Sequence, residues 1–509
     1  MMTLSPTIRL HENDNVVVAR VAIASGASLN GEGLLANADI PAGHKVATRP
    51  IPQGGPITKF NQTIAFASTD IAPGDHVHIH NAAYGKFARS SEACVDARPT
   101  AYFPETERAT FQGYRRPGGK AGTRNFIGIL TSVNCSATVA RMIAEAFHVP
   151  SALADYPNVD GVVALVHGTG CGMQAGGEGH ELLKRTIAGY AEHPNFAGVL
   201  LIGLGCEVAQ VGDIGALVTG PGAPPMRTMT IQEEGGTRRT VEKGIAIVRE
   251  MLADANRAQR EAIPASELIL ALQCGGSDGY SGIGANPALG VAADLLVRHG
   301  GTAILSETPE IYGAEHLLVR RAINEGVAAK LIERIKWWED YTARNGGEID
   351  NNPAPGNKAG GLTTILEKAL GSAAKGGTTN LVDVYRYAEP ITAKGFVFMD
   401  SPGFDPTSAT GQVASGANII CFTTGRGSVF GFKPVPSIKI ATNTPMYERM
   451  TDDMDINCGA IIDGAATIED MGARIFREVL DIASGKPSRS EALGFGDNEF
   501  APWQLGAVM

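Results

Sequence analysis

A chain of 509 residues is too long for one hydrophobic core, so two or three domains are expected. Its 44% hydrophobic and 19% charged residues describe an ordinary globular protein, and a net charge of -10 without a Lys/Arg cluster disfavours nucleic acid and anionic membranes as partners. No apolar run reaches about 18 residues, and the opening MMTLSPTIRLHENDN lacks a basic-then-apolar signal, so a cytoplasmic location is the default expectation. Seven cysteines are too few for a disulfide framework, which leaves metal binding or catalysis as the special use for any that cluster.

Residues 1–95 read as a small all-β domain. ADIPAGHKVA, RPIPQGGPIT and TDIAPGDHVH each place a Gly-containing turn before a β-prone segment. Two of these turns lead into histidine, at His44 and at His76, His78 and His80, and the last three alternate so that a strand would carry them on one face. Residues 96–112, with two prolines and no period, read as a linker. From 113 to 345 short apolar runs alternate with amphipathic stretches: NFIGILTSV before SATVARMIAEAF (Ser136 as N-cap), GVVALV before EGHELLKRTIAGYAEH, then GVLLIGLG, ELILALQ before NPALGVAADLLVRHG, and GTAILSE. That rhythm predicts a Rossmann-like parallel α/β domain. Residues 346–509, with Gly-rich turns between GFVFMD, NIICFTT and SIKIAT, predict a further α/β domain.

Cys135, Cys171, Cys206 and Cys274 each follow an apolar run, where the carboxyl ends of parallel strands and hence a ligand cleft are expected. Any one of them fits equally well as a small buried hydrophobe. Four at one topological position point to a shared metal or cluster, although no CxxC pair is present. Cys94, Cys421 and Cys458 lack the pattern and read as structural. The same turns add His167, Glu207, Ser277, Asp278, Glu307 and Glu310, a mixture of soft, hard and imidazole donors that suits iron. Taken singly, each carboxylate is as readily a helix cap. Asn357 and Lys358 in PAPGNKAGG, and Arg426 in TTGRG, are placed to hold a carboxylate. No Walker loop and no GxGxxG after a strand is present, which weakens a nucleotide-enzyme reading.

GYRRPGGKAGTRNFIGILTSVNCSATVAR, LIGLGCE, LQCGGSDGYSGIGANPALG, NPAPGNKAGG and FTTGRG together resemble the altronate/galactarate dehydratase family of sugar-acid hydro-lyases. The resemblance covers nearly the whole chain, the N-terminal repeats being similar to its SAF-type β-clip domain. It implies an iron-dependent elimination of water from an aldonic or aldaric acid to a 2-keto-3-deoxy acid, the iron being Fe²⁺ or an Fe–S cluster. Such chemistry needs positive charge against an enediolate, a base for the α-proton and an acid for the leaving hydroxyl.

The expected catalytic residues are His167, Glu207, Asp278 and Glu307. Ser277, Asn357, Lys358, Arg426, His44 and His80 are expected to bind substrate, and Cys135, Cys171, Cys206 and Cys274 the metal. The N-terminal domain is expected to close over the cleft as a lid, and a homodimer is the expected assembly. HVHIHN and ETPEIYGAEHLL resemble the altronate branch, YPNVDGVVAL and EKALGSAAKGG the galactarate branch; altronate is the preferred substrate. A non-catalytic sugar-acid binding protein and a cysteine redox enzyme are the other two readings, the latter weakened by the missing CxxC.

Overall fold

The computed structural model describes residues 4–29, 31–86 and 92–509. The N-terminal domain is built from short antiparallel strands. One sheet has the order Thr7–Ile8, Val16–Ala19, Lys45–Ala47, His76–Val77, and another the order Pro56–Lys59, Gln62–Ala67, Ala82–Ala83. Val16–Ala19 is buried throughout because both of its faces are covered.

Residues 92–109 run along the C-terminal domain, where Asp96 pairs with Arg320 and the Phe103 ring lies under Arg298. The expected linker ends early, since Thr110–Arg115 is already a strand, flanked antiparallel by Ala121–Gly122 and Glu261–Pro264.

Two parallel sheets follow. The first has the order Gly161–Leu165, Phe126–Thr131, Phe196–Gly203, Met226–Thr230. Its helices Ala137–Glu145 and Thr237–Ala255 share one core with a face of the sheet, and Glu178–Ala191 covers the other. Ser136 does precede the first helix, but its hydroxyl donates to the carbonyls of Val133 and Ile202 instead of capping. The second sheet has seven parallel strands in the order Leu381–Tyr385, Gly395–Met399, Thr302–Leu305, Ile269–Cys274, Ile419–Thr424, Ser437–Ala441, Ile456–Asn457. The apolar runs Gly395–Met399, Thr302–Leu305 and Ile269–Cys274, buried almost throughout, suit strands covered on both faces.

The boundary between the α/β units therefore falls between Pro264 and Ile269, not near residue 345. Strands 269–274 and 302–305, expected beside 126–131, belong to the second sheet, because the chain leaves the first sheet through the antiparallel strand Glu261–Pro264. Alternating strand and helix grammar is the same in both units and carries no mark of where one sheet ends. The units share a core in which helix Glu178–Ala191 packs on helix Asp405–Ala414. They meet so closely that a Cβ at Gly189 would lie 2.3 Å from the Ala414 carbonyl oxygen. No helix among the described residues is long and apolar enough to cross a membrane.

The N-terminal domain is docked on the C-terminal one through buried charge. Lys45 and Lys59 both reach Glu367, at 2.8 and 2.9 Å, and all three side chains are at most 2% exposed. Lys45 also donates to the Gly361 carbonyl at 2.5 Å, and Thr363 donates to Glu367 through its N–H and hydroxyl. The domain expected to close as a lid is thus seen docked, held through a buried ion triad. Removing one partner of such a group strands buried charge and costs about 3–5 kcal/mol. Glu367→Gln is therefore expected to destabilise the first unfolding transition in urea by about that amount; a loss near zero would mean that the triad does not hold the domains together.

Candidate active site

Five ionisable side chains from the second sheet and from helix Ile365–Ala374 with its cap meet where the strands end. Cys274 closes strand Ile269–Cys274, Glu307 and Glu310 follow strand Thr302–Leu305, and Lys368 and Lys375 lie seven residues apart. Lys375 Nζ is 2.9 Å from Cys274 Sγ and 3.8 Å from Glu307, while Lys368 Nζ is 2.6 Å from Glu310. Cys274 Sγ lies 3.7 Å from Glu310, and one donor atom from each of Cys274, Glu307 and Glu310 falls within 4.8 Å of the others, a possible metal-ligand set.

Glu307 stands out. Its backbone is left-handed at φ 72°, its side chain is fully buried, and neither carboxylate oxygen has a hydrogen-bond partner among the described residues. A left-handed non-glycine residue costs on the order of 1–3 kcal/mol and marks functional sites when the fold enforces it.

The environments push these groups apart. Burial, reinforced by Glu310, raises the Glu307 carboxyl well above the usual range. Burial also acts on Glu310, but Lys368 and Lys375 outweigh it and hold that group low. Asp405, at the start of helix Asp405–Ala414, is pushed up to about 7 by burial and by Glu310. Burial drives the Cys274 thiol up to about 11. Carboxyls kept in opposite protonation states near neutral pH are what acid–base catalysis requires.

The turn after Cys274 joins this centre to a cavity. A Cβ on Gly275 would lie 2.4 Å from the Asp405 carboxylate, so glycine there lets Asp405 approach, and Gly276, left-handed at φ 60°, lies against the Arg426 Cβ. Arg426 lines a cavity of about 400 Å³ with Arg20, Arg449, Asp278, Tyr280 and Asn443. This cavity sits at the point where the chain, having built strands on one side of Ile269–Cys274, crosses to build on the other. Open α/β sheets bind ligands at such switch points.

Of the expected residues, Cys274 and Glu307 lie in the ionisable centre, Asp278 and Arg426 line the cavity, and Ser277 lies with Cys274 and Asp278 on the turn between them. Asp278 accepts from Ser281, Thr442 and Asn443 and from the N–H groups of Tyr280 and Ser281, so it anchors the turn in place of acting as a free base. Asn357 donates to the Ser277 carbonyl and steadies the same turn, and Lys358 is not part of the cavity lining. His44 is buried at the domain junction, donating through Nε2 to the Ala359 carbonyl at 3.3 Å with Nδ1 3.0 Å from His76 Nε2. Burial lowers the pKa values of His44, His76 and His78, to about 4 for His76 and about 3 for His78, and the ring of exposed His80 lies tilted against that of His76. Cys421 and Cys458 are core residues.

His167, Glu207, Cys135, Cys171 and Cys206 lie instead at the end of the first sheet. His167 donates to the Thr131 carbonyl at 2.9 Å, accepts from the Thr169 N–H, and is held neutral by burial, which lowers its pKa to about 4. Burial would raise Glu207, but the Ser132 hydroxyl and the N–H groups of Gly205 and Leu204 hold it below its usual range. Both groups are spent on bracing loops. Sequence reasoning missed Lys368, Lys375, Asp405, Arg20 and Arg449; the first two had a signal, being charges set into the otherwise small and apolar ILEKALGSAAKGG.

Family models match the chain in three segments: the altronate/galactarate dehydratase SAF domain at residues 5–84, the D-galactarate dehydratase/altronate hydrolase second domain at 113–256, and the D-galactarate/altronate dehydratase C-terminal domain at 265–508. The galactarate dehydratase (L-threo-forming) of Escherichia coli (strain K12) is 39% identical over 94% of this chain and 93% of its own. The altronate dehydratases of Bacillus subtilis (strain 168) and E. coli (strain K12) are 34% and 33% identical, each over 99% of both chains.

The raised Asp405 pKa has a consequence for stability. A carboxyl at about 7 in the fold and about 3.9 when unfolded binds more protons in the folded state between those values, so stability falls as pH rises through that window. Asp405→Asn is expected to stabilise the protein at pH 8 relative to pH 5, as measured by urea denaturation at both. An equal effect at the two pH values would mean that Asp405 titrates normally.

Proposed function

The chain belongs to the D-galactarate/altronate dehydratase family of sugar-acid hydro-lyases, and on that footing we propose how it eliminates water and from which acid. The observation that carries the reading is the centre of Cys274, Glu307, Glu310, Lys368 and Lys375 joined by one glycine turn to an arginine-lined cavity.

Arg426, with Arg20 and Arg449 around it, holds the carboxylate next to the carbon that loses its proton; a planar fork suits that group. Asp405, near neutrality and beside the turn, takes the α-proton. Glu307, kept protonated by its surroundings, gives a proton to the departing hydroxyl. The Lys375 ammonium supplies fixed positive charge where the enediolate develops.

The same donors fit a divalent cation. Three carboxylates (Glu307, Glu310, Asp405) against two ammoniums (Lys368, Lys375) leave one negative charge, and the Cys274 thiolate would make two. Both orphaned oxygens of Glu307 would gain a partner. Cys274, Glu307 and Glu310 are the residues that would hold the ion, and the mixed sulfur and oxygen set is suited to iron. When bound, it would displace the Glu307 proton and take over that acid's part, adding Lewis-acid stabilisation of the departing hydroxyl and the enediolate.

Altronate is the first substrate to test, supported by end-to-end similarity to two altronate dehydratases. Galactarate is the second reading, favoured by the higher identity to a galactarate dehydratase and by three guanidiniums in one cavity, enough for a carboxylate at each end. Anaerobic, iron-loaded protein assayed for keto-acid formation on both acids decides between them. Glu307→Gln and Asp405→Asn are each expected to lower kcat by about 10²–10⁴-fold. Arg426→Lys is expected to raise KM. Wild-type turnover in either carboxyl variant would place the chemistry elsewhere.

A further inference from the structure

Cys135, Cys171 and Cys206 are exposed and lie outside the centre described above. They follow three strands that are neighbours in one sheet, Gly161–Leu165, Phe126–Thr131 and Phe196–Gly203, all parallel, so the three loops leave the sheet at the same end. The loops are tied to one another next to each thiol. Asn134, before Cys135, donates its N–H to the Thr169 carbonyl at 2.9 Å. Gly170, before Cys171, accepts from the N–H groups of Val208 and Ala209 at 3.1 and 3.2 Å, two and three residues past Cys206. Ser136 donates to the Ile202 carbonyl at 2.8 Å and Ser132 to Glu207 at 2.6 Å. Gly170 is left-handed, and a Cβ there would lie 2.2 Å from the Ser132 carbonyl oxygen, so the packing of the loops admits no side chain at that position.

Exposure removes the ordinary explanation for a cysteine, which is apolar burial. The buried polar groups nearby, His167 and Glu207 among them, are committed to holding the loops, which leaves the thiols as the free donors of a rigid frame. A single ion binding three thiolates at about 2.3 Å each would draw their sulfurs to about 3.8 Å. The donor set that gathers within 4.8 Å among the described residues is the Cys274 one, so these three sulfurs stand further apart. A larger inorganic core is the kind of centre that three thiols on neighbouring strand-end loops can ligate without gathering as closely as one ion demands. A cavity of about 510 Å³ borders the frame, lined by Asn134 and His167, by Arg141, and across from them by Phe404 and Thr407 of the segment that carries Asp405.

We infer that Cys135, Cys171 and Cys206 are the three protein ligands of an iron–sulfur cluster, with its remaining iron left for an oxygen ligand in the adjoining cavity. The inference does not depend on which sugar acid is dehydrated or on the assignment of the Cys274 centre. Three thiolates and one non-thiolate position is a ligation that such clusters accept.

The full-length protein, purified without oxygen and reconstituted with iron and sulfide, is expected to be brown, with visible charge-transfer absorbance, about four sulfides per chain and about four irons beyond any held at the Cys274 centre. Cys135→Ser, Cys171→Ser and Cys206→Ser are each expected to lose most of that absorbance, with far-ultraviolet circular dichroism unchanged. Cys274→Ser and Cys94→Ser are expected to keep it, which separates this site from the buried one. Alkylation with iodoacetamide, read by mass spectrometry, needs no variant: the three thiols should be modified in apo protein and protected after reconstitution. A colourless reconstituted protein binding at most one iron, or equal alkylation of the three thiols before and after reconstitution, would overturn the inference. Loss of turnover with an intact cluster spectrum would count against the proposed chemistry alone.

Discussion

Ionised groups cannot be taken out of water unless they are paired, and this protein buries two such sets within one helix of each other. Glu367 of helix Ile365–Ala374 accepts Lys45 and Lys59 from the N-terminal domain, while Lys368 and the capping Lys375 turn to Glu310, Cys274 and Glu307. The helix is thus charged on two sides and buried along nearly its whole length. One side fixes where the N-terminal domain sits; the other biases the protonation states of Glu307 and Glu310.

Docked in this way, that domain becomes part of the wall of the arginine-lined cavity. Arg20, Val21, Ala22 and Ala42 line the same cavity as Arg426 and Arg449 from the C-terminal domain. Tyr280, two residues after Asp278, donates to the carbonyls of Ala19 and Arg20, so the glycine turn is held from both domains. In the proposed chemistry, a cavity walled by both domains would shield an enediolate from bulk water.

Much of this was legible in the sequence. Strand and helix grammar gave the α/β class, and placing ligand residues at strand ends led to Cys274, Glu307 and Arg426. Two things were not legible. Parallel strands in two different sheets have the same local pattern, so four strand-end cysteines read as one cleft although Cys274 belongs to the second sheet and the other three to the first. The roles of buried polar residues depend on partners distant in sequence: Asp278 and Glu207 read as free carboxylates, yet each is saturated by donors on neighbouring loops. Lys368 and Lys375 give little signal because surface lysines are the rule, and only their setting among Ala and Gly in a helix with no exposed face marks them as buried, paired charges.

The central claim is that substrate binds against the turn Cys274–Asp278, with its carboxylate on Arg426 and its reacting carbon beside Asp405 and Glu307. A crystal structure of the Lys375→Met variant soaked with altronate or galactarate tests it most directly, since the ligand should persist where turnover is blocked. Density for the acid across Gly275 and Gly276, touching Arg426 and Asp405, is the predicted result. An acid bound with none of Arg426, Asp405 and Glu307 in contact would contradict the account.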